Sequence, residues 1–441
     1  MKKIVPILLL VLLAACAPAV VEAPGAPAEV PTAVLEEPVS FTWWSEAAIG
    51  PWLDCFNIPE YEAGELGNVI VDMWHEEYPE YADVDVEVIV ASYSGGDRDP
   101  LIDAMIAAGQ PPCVIDGYAG RYSSFLDTAI DLDPYLTDEQ KADLYYYETG
   151  LNYLALPGTV EYGLVNATVL KSVGIEPPEA WTWIPYETFL EWGETLKDNG
   201  LYLSCNFCAA RSSMQWNWAW FGNAGLQVWD DGYTGIALNT PEAVSVLEEL
   251  VRLNQEGYFV PGAPGMVDDD CIFNNWTLNK YAYFQGGRLA FLPWFDGAVE
   301  SGQIPEMPEI VPVMGVSMSG AEGLLEVQPM TNIGFVTMWC PAESVEAATS
   351  LIAYAQSAPY HAAYPSALPN QGAHEDSCGL PDEAAAIGYA KTHMMDAGVF
   401  APQYNEARRI FGEYFGAAIR GDITAAEALS GFEADVEAML E

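Results

Sequence analysis

The sequence predicts an α/β protein of two lobes, each a mainly parallel sheet flanked by helices, and three observations carry that expectation. At 441 residues the chain is longer than one hydrophobic core usually serves. From residue 39 onward, strand-like, helix-like and again strand-like stretches follow one another, an order that calls for a parallel pair. Near residues 154–165 an apolar run, a Pro-Gly break and a second strand-like run precede a helix marked at both ends, as expected where a chain crosses from one lobe to the next. An apolar content of 51% excludes a disordered chain.

The chain begins Met1-Lys2-Lys3, a basic start, and continues through residues 4–15 as an apolar run too short to span a bilayer, the make-up of a secretory signal. The run ends Leu13-Ala14-Ala15-Cys16 and resembles a bacterial lipoprotein signal, which implies cleavage after residue 15 and lipidation of Cys16. Acyl chains would then hold the protein on a membrane surface without spanning it. Residues 16–38 are rich in Ala, Pro, Val and Glu, have little to bury, and read as a semi-extended tether. Residues 39–44 read as a strand running into Ser45-Glu46. Val69, Ile70, Met73 and Trp74 keep helical spacing, and Val84, Val86, Val88 and Val90 alternate with Asp85, Glu87 and Ile89 as a second strand. Leu101, Met105 and Ile106 mark the next helix. Gly109-Gln110-Pro111-Pro112 then turns into a third strand ending Asp116-Gly117-Tyr118, the strand end at which ligands sit in open α/β sheets.

Residues 154–157 form a short apolar run that Pro157-Gly158 ends, because proline cannot join a central ladder, and residues 160–165 form a strand with Tyr162 in its middle. Tyr186, Phe189, Leu190, Gly193 and Leu196 give one helical face, with Pro185 suited to the first turn and Asn199-Gly200 to the stop. Residues 201–231 are dense in aromatics, and helical spacing puts Trp216 and Trp220 on one face, equally suited to a core or a cleft. Thr240 caps a helix through Val244, Leu247 and Leu250 that Gly257 closes. Gly286-Gly287 lets the chain turn from helix into a strand that delivers Trp294 to its far end. Residues 310–317 read as a further strand, 327–339 as a return to the first lobe and 344–354 as a helix. Thr424 with Glu427 is a capping box.

Acidic residues outnumber basic ones 64 to 15, a formal charge of −49, so nucleic acid and anionic substrates are poor partners. The acidity reads first as a solvated surface and second as a field that draws cationic ligands. The 14 Trp, 24 Tyr and 16 Phe exceed what a core alone suggests. Flat apolar faces with a polar edge suit sugar rings, whose C–H face is apolar and whose hydroxyl rim takes hydrogen bonds.

Several stretches carry a family likeness. Residues 154–196, with Pro157-Gly158, Asn166, Gly174-Ile175, Pro177-Pro178 and Trp181-Thr182-Trp183, are the longest. Gly109-Gln110-Pro111-Pro112, Leu132-Asp133-Pro134-Tyr135-Leu136, Phe284-Gln285-Gly286-Gly287-Arg288 with Pro293-Trp294, and Gly421-Asp422-Ile423 with Ala428-Leu429 are the others. In this order they resemble the extracellular solute-binding proteins of ABC importers, in particular the sugar-binding, maltose-binding type. The chain departs at Leu164-Val165-Asn166, where Tyr-Asn-Lys is usual, at Cys113, where Asp is common, and at Met330-Thr331-Asn332, which lacks the aromatic of the family's cleft loop.

The resemblance implies a two-lobed periplasmic-binding-protein fold of type II. Residues 39–156 with 330–358 would form the N-terminal lobe and 157–329 with 359–441 the C-terminal lobe, crossed near 155–160, 327–332 and 357–365. It implies capture of a mono- or oligosaccharide between the lobes and delivery to a permease and its ATPase, with no catalysis and no cofactor. Trp43, Trp44, Trp216 and Trp294 are the stacking candidates, and Glu46, Asp116, Asp296 and Asn332 the hydroxyl partners. Tyr93, Tyr118 and Tyr162 complete the expected ligand-binding set.

Beyond Cys16, seven of the eight cysteines remain. Cys205 and Cys208 form a Cys-x-x-Cys that fits, in order, a local disulfide, free thiols or a redox pair; with no second such pair and only four histidines, zinc is a poor fit. Cys340 with Cys378, and Cys55 with Cys113, are candidate partners within lobes. Asp268-Asp269-Asp270 offers oxygens for Ca²⁺, but in so acidic a chain it reads first as a solvated loop. Two alternatives stand beside the sugar receptor. One is a receptor for a cationic or other small solute such as a polyamine, betaine or peptide. The other is a secreted glycoside hydrolase, which needs only two carboxylates about 5–9 Å apart.

Overall fold

The computed structural model describes residues 39–45, 66–90, 99–118, 122–144, 152–205, 214–266, 268–355, 384–390, 392–398, 401 and 404–440. Apolar alternation builds β1 (Ser40–Ser45), β2 (Asp85–Val90) and β3 (Val114–Tyr118), with the helices Leu66–Glu77 and Asp99–Ala107 between them. β1 pairs in parallel with both β2 and β3, as the strand–helix–strand order requires. Further along come β4 (Leu154–Asn166), β5 (Trp183–Pro185), β6 (Tyr283–Gly287), β7 (Ile310–Val313), β8 (Gly315–Ser317), β9 (Leu325–Val336) and β10 (Met394–Asp396). The large sheet runs β2-β1-β3-β9-β4-β6, with β10 added on β9 and β7 on β4, while β5 pairs with β8 separately.

Two long strands organise this sheet. β4 and β9 run antiparallel from Leu154↔Gly334, through Pro157↔Met330 and Thr159↔Gln328, to Glu161↔Glu326. At the Leu154 end β9 also holds β3, with Ile115 opposite Phe335. At the other end β4 continues into pairs with β6 and β7, with Tyr162 opposite Gly287 and Gly163 opposite Val313. This ladder ties residues 39–441 into one contiguous unit.

Several sequence expectations are corrected. Pro157-Gly158 does not end the ladder: the strand is continuous, and its register shifts between Ala155 and Pro157, a bulge that accommodates the missing donor. Gly286-Gly287 closes β6 rather than opening a strand, and the residues that follow, Leu289–Phe295, wind as 3-10 turns. The expected strand 310–317 divides at Met314, whose N–H donates to Thr182 O, into β7 and β8 with different partners. Pro185 ends β5, and the helix is Tyr186–Asp198. The caps are present as read: Thr240 Oγ1 accepts from Ala243 N at 3.2 Å, and Thr424 N donates to Glu427 Oε2 at 2.9 Å.

The aromatic-dense stretch is mostly core. Trp218 packs edge-on against Trp229, Tyr404 and Phe411, and Trp220 lies against Phe259 and Tyr283. These rings fill the space among the helices Met214–Gly222, Pro241–Gln255, Tyr404–Arg420 and Ala425–Leu440.

Among the described residues the disulfides are Cys113–Cys340 and Cys205–Cys271, which replaces all three pairings read from the sequence. β3 and β9 are antiparallel, so Thr337 N donates to Cys113 O and the following turn brings Cys340 to a Cα separation of 4.2 Å. Cys205 follows the bridge Ser204↔Phe259, which carries it to Cys271 instead of to Cys208 three residues on. Strand register across 227 and 66 residues decides both bonds, and linear spacing does not encode it. Cys16, Cys55, Cys208 and Cys378 lie outside the described residues, as do the signal and tether. Among the described residues no helix is long and apolar enough to cross a membrane.

Most ion pairs among the described residues are short-range, such as Arg252–Glu256 and Arg409–Glu406 within single helices, with Lys171–Glu309 joining distant segments, and such exposed pairs contribute little. A chain of net charge −49 therefore repels itself, and salt relieves that repulsion. Calorimetry from about 0.05 M to about 0.5 M NaCl is expected to show Tm rising by at least roughly 1–2 °C, the shift that about 1 kcal/mol produces in a chain of this length. A Tm that does not rise contradicts it.

Candidate functional site

The parallel strands β1 and β3 finish at the same edge of the sheet, with Ser45 opposite Asp116. Ser45 Oγ donates to Asp116 Oδ2 at 3.3 Å, and both side chains are buried. β9 runs the other way beside β3 and so brings Asn332 to the rung of Tyr118. Three of the sequence-selected residues, Asp116, Tyr118 and Asn332, thus share one strand-end neighbourhood. Glu46 directly follows β1, and it and Tyr93 lie outside the described residues.

Trp43 and Trp44 do not belong to this edge as contacts. Alternation sends them to opposite faces of the sheet, Trp43 among Phe41, Trp74 and Leu154, Trp44 among Ile102, Ile115 and Tyr122. Trp44 Nε1 donates to Tyr122 Oη at 3.0 Å. With 0% and 1% exposure neither indole presents a face to a guest, which corrects their assignment as stacking residues.

A second group forms at the end of β6. Gly286 has φ +69°, and a Cβ there would lie 3.0–3.2 Å from atoms of Trp216, so this turn needs glycine both for its backbone and for the indole packed on it. Tyr162 Oη accepts from Leu289 N at 2.7 Å, which fixes the 3-10 turns that carry Trp294. Tyr162 is itself buried and edge-on to Trp181, so it is a support for the turn and not the ligand contact first assigned to it. The Trp294 ring stands 6.5 Å from Trp216, 6.4 Å from Phe284 and 6.0 Å from Phe273. Trp216 and Trp294 are half-buried, and Phe273 is 44% exposed. Such tilted and edge-on pairs are the favoured aromatic arrangements, and they leave ring faces at the margin of the group.

Sequence reasoning missed Phe273. A π-turn, Ile272–Trp276, begins directly after Cys271 and buries Ile272 and Trp276 while leaving Phe273 outward. An aromatic residue followed directly by Asn274-Asn275 was the available signal. Next to it, Asp270 Oδ1 accepts from Asn274 Nδ2 at 3.0 Å, and among the described residues no three His, Cys, Asp or Glu side chains are grouped to hold a metal ion. Asp296 is exposed at the start of the short helix Asp296–Glu300.

The β4·β9 ladder joins the two groups: its first rungs lie beside β3 and Asn332, and just beyond its last rung stands Tyr162. The protein with known structure that is bound to α-D-tagatose from Thermotoga lettingae, an ABC transporter solute-binding protein, superposes with a TM-score of 0.64 over 91% of this chain and 100% of its own, at 15% identity. The chain has the two-lobed binding-protein fold. Within that fold, the cyclic α-maltosyl-1,6-maltose binding protein of Arthrobacter globiformis gives a TM-score of 0.61 at 16% identity, over 92% of this chain and 99% of that one. Maltose-bound MalE3 of T. maritima gives 0.61 at 17% identity, over 91% and 100%. No family model and no curated protein sequence matches.

Proposed function

We propose that the chain is the extracytoplasmic solute receptor of an ABC importer, which holds a mono- or oligosaccharide between its lobes and passes it unchanged to a permease driven by an ATPase. The observation that carries this reading is the group of Trp216, Phe273, Phe284 and Trp294 at the end of β6, beside the long strands. Structurally similar proteins hold maltose and tagatose in the same fold.

In this reading residues 39–156 with 330–358 form one lobe and 157–329 with 359–441 the other, and β4 and β9 supply two of the crossings. Trp216, Trp294 and Phe273 offer ring faces to the apolar side of a sugar, and Asn332, on the rung of Tyr118 at the end of β3, belongs to the other lobe, with the enclosed Asp116 supporting that rung; Glu46 and Tyr93 remain partners on the strength of the sequence resemblance. Asp296, exposed beyond Trp294, is a hydroxyl partner at the rim. Ligand that touches both lobes stabilises the closed form by its differential affinity, and closure is the output. Lipidated Cys16 and the tether 16–38 keep the receptor at the membrane.

The test is a titration of mono- and oligosaccharides followed by Trp fluorescence and melting. A bound sugar at 100 times its dissociation constant is expected to add about 2.7 kcal/mol of stability. A polyamine or betaine that shifts both signals while no sugar does would turn the aromatic group into a cation cage. Turnover of chromogenic glycosides would make the protein a hydrolase.

A further inference from the structure

At the last rung of the β4·β9 ladder two glutamates stand opposite each other, Glu161 and Glu326. Directly paired residues of antiparallel strands project from the same face of the sheet. Both are buried, at 2% and 1% exposure. β10 flanks β9 on its other side and brings Asp396 opposite Val327. The helix Tyr404–Arg420 contributes Arg408, 2% exposed, so three carboxyl groups gather near one guanidinium.

The hydrogen bonds of Asp396, Arg408 and Glu326 do not resolve this gathering. Asp396 accepts from the Tyr233 hydroxyl and from Gly398 N. Arg408 lies over the Tyr404 ring, 5.0 Å from its centre, and its Nη1 donates to Asn405 Oδ1 at 3.4 Å. Its Nε and Nη2, and both carboxyl oxygens of Glu326, have no hydrogen-bond partner among the described residues. Among the described residues the other elements packed on β9 add no cation, and on the β4 side the cation is Arg288, which follows Gly287, the partner of Tyr162. Met214–Gly222 carries no titratable side chain, Tyr389 of Ala384–Ala390 donates to Gly323 O, and His393 is exposed and stacked on Tyr389.

Two carboxylates brought together out of water do not both ionise; the pair keeps a proton and titrates as a unit. We propose that Glu161 and Glu326 share one proton in the folded protein, which bridges β4 and β9, and that loss of this proton loosens the crossing between lobes. The proton itself follows from the burial and the register alone. Its effect on capture rests on the solute-receptor reading above.

Burial, with the Glu161 and Asp396 charges acting in the same direction and Arg408 against them, holds the Glu326 carboxyl well above the usual range. The folded chain therefore binds more protons than the unfolded one above about pH 4.3, the unfolded value. The stabilisation is complete below that pH and is lost as pH rises through the folded value.

Infrared spectra and melting curves of the full chain between about pH 5 and about pH 8.5 test this, comparing wild type with Glu326→Gln and Glu161→Gln. The wild type is expected to keep a protonated-carboxyl band at about pH 7 that Glu326→Gln lacks and that titrates at lower pH in Glu161→Gln, where burial still favours the proton but the facing charge is gone. Its Tm is expected to fall relative to Glu326→Gln by roughly 2–4 °C toward the alkaline end. A wild type without the band, or a band that survives in both variants, overturns the proposal; the wild-type spectrum decides the first even where a variant does not fold. The same pH series on sugar affinity separates the two readings. An affinity that changes with pH in wild type and not in Glu326→Gln supports the link to capture, whereas an identical profile in both removes it. A protein that binds no sugar but shows the band retains the shared proton and loses only the receptor.

Discussion

Replacing Cys113 and Cys340 by Ser is expected to lower the unfolding free energy by about 2–4 kcal/mol, and by about 1 kcal/mol more than replacing Cys205 and Cys271. The difference follows from the chain each bond closes. The first spans 227 residues of sequence and the second 66, and the entropy removed from the unfolded chain grows with the logarithm of loop length. The two bonds also sit in different places. Cys113–Cys340 fastens the start of β3 to the turn after β9, remote from the aromatic group. Cys205–Cys271 ends on the residue before the π-turn that sets Phe273 outward. Denaturant unfolding should therefore rank the first variant as the less stable, whereas a ligand titration should find the second the weaker binder. An equal or reversed order in unfolding would mean that the unfolded chain retains structure around β3 and β9.

The elements were legible wherever local pattern and tertiary role agree. Val84, Val86 and Val88 alternate because β2 has two environments, and Thr240 and Thr424 cap helices because the first-turn N–H groups need acceptors whatever the fold. Legibility failed where a distant partner decides. Pro157 reads locally as a terminator, yet Met330 from 173 positions later makes it a bulge. Trp43 and Trp44 end a strand just as a binding residue would, but the helices on both faces of β1 enclose them, and no local signal distinguishes an indole under a helix from one at a cleft. The cysteine pairings failed for the same reason. The glycine turn beside Trp216 was legible as a sequence feature, but the strand expected to carry Trp294 away from it is a run of 3-10 turns; Phe273 was not legible, because its exposure depends on a helix widening by one residue per turn.

Trp44→Ala and Trp294→Ala should fail in opposite ways. Trp44 is enclosed and its Nε1 is bonded to Tyr122, so truncation leaves a cavity and removes a buried hydrogen bond, and is expected to cost about 3–5 kcal/mol of stability. The fraction that remains folded keeps its aromatic group and binds with unchanged affinity. Trp294 is half-buried at the edge of its group, so its loss removes ring contacts with Trp216, Phe284 and Phe273 and lowers stability less. Its affinity for sugar is expected to fall about 30-fold or more, the roughly 2 kcal/mol of a central aromatic anchor. Melting curves and fluorescence titrations on the two proteins separate these outcomes. Should Trp294→Ala bind as well as wild type while a folded Trp44→Ala does not, the guest would have to sit against the ends of β1 and β3 without touching the β6 group. Asn332 and Tyr118 would then carry recognition, and the aromatic group would be packing.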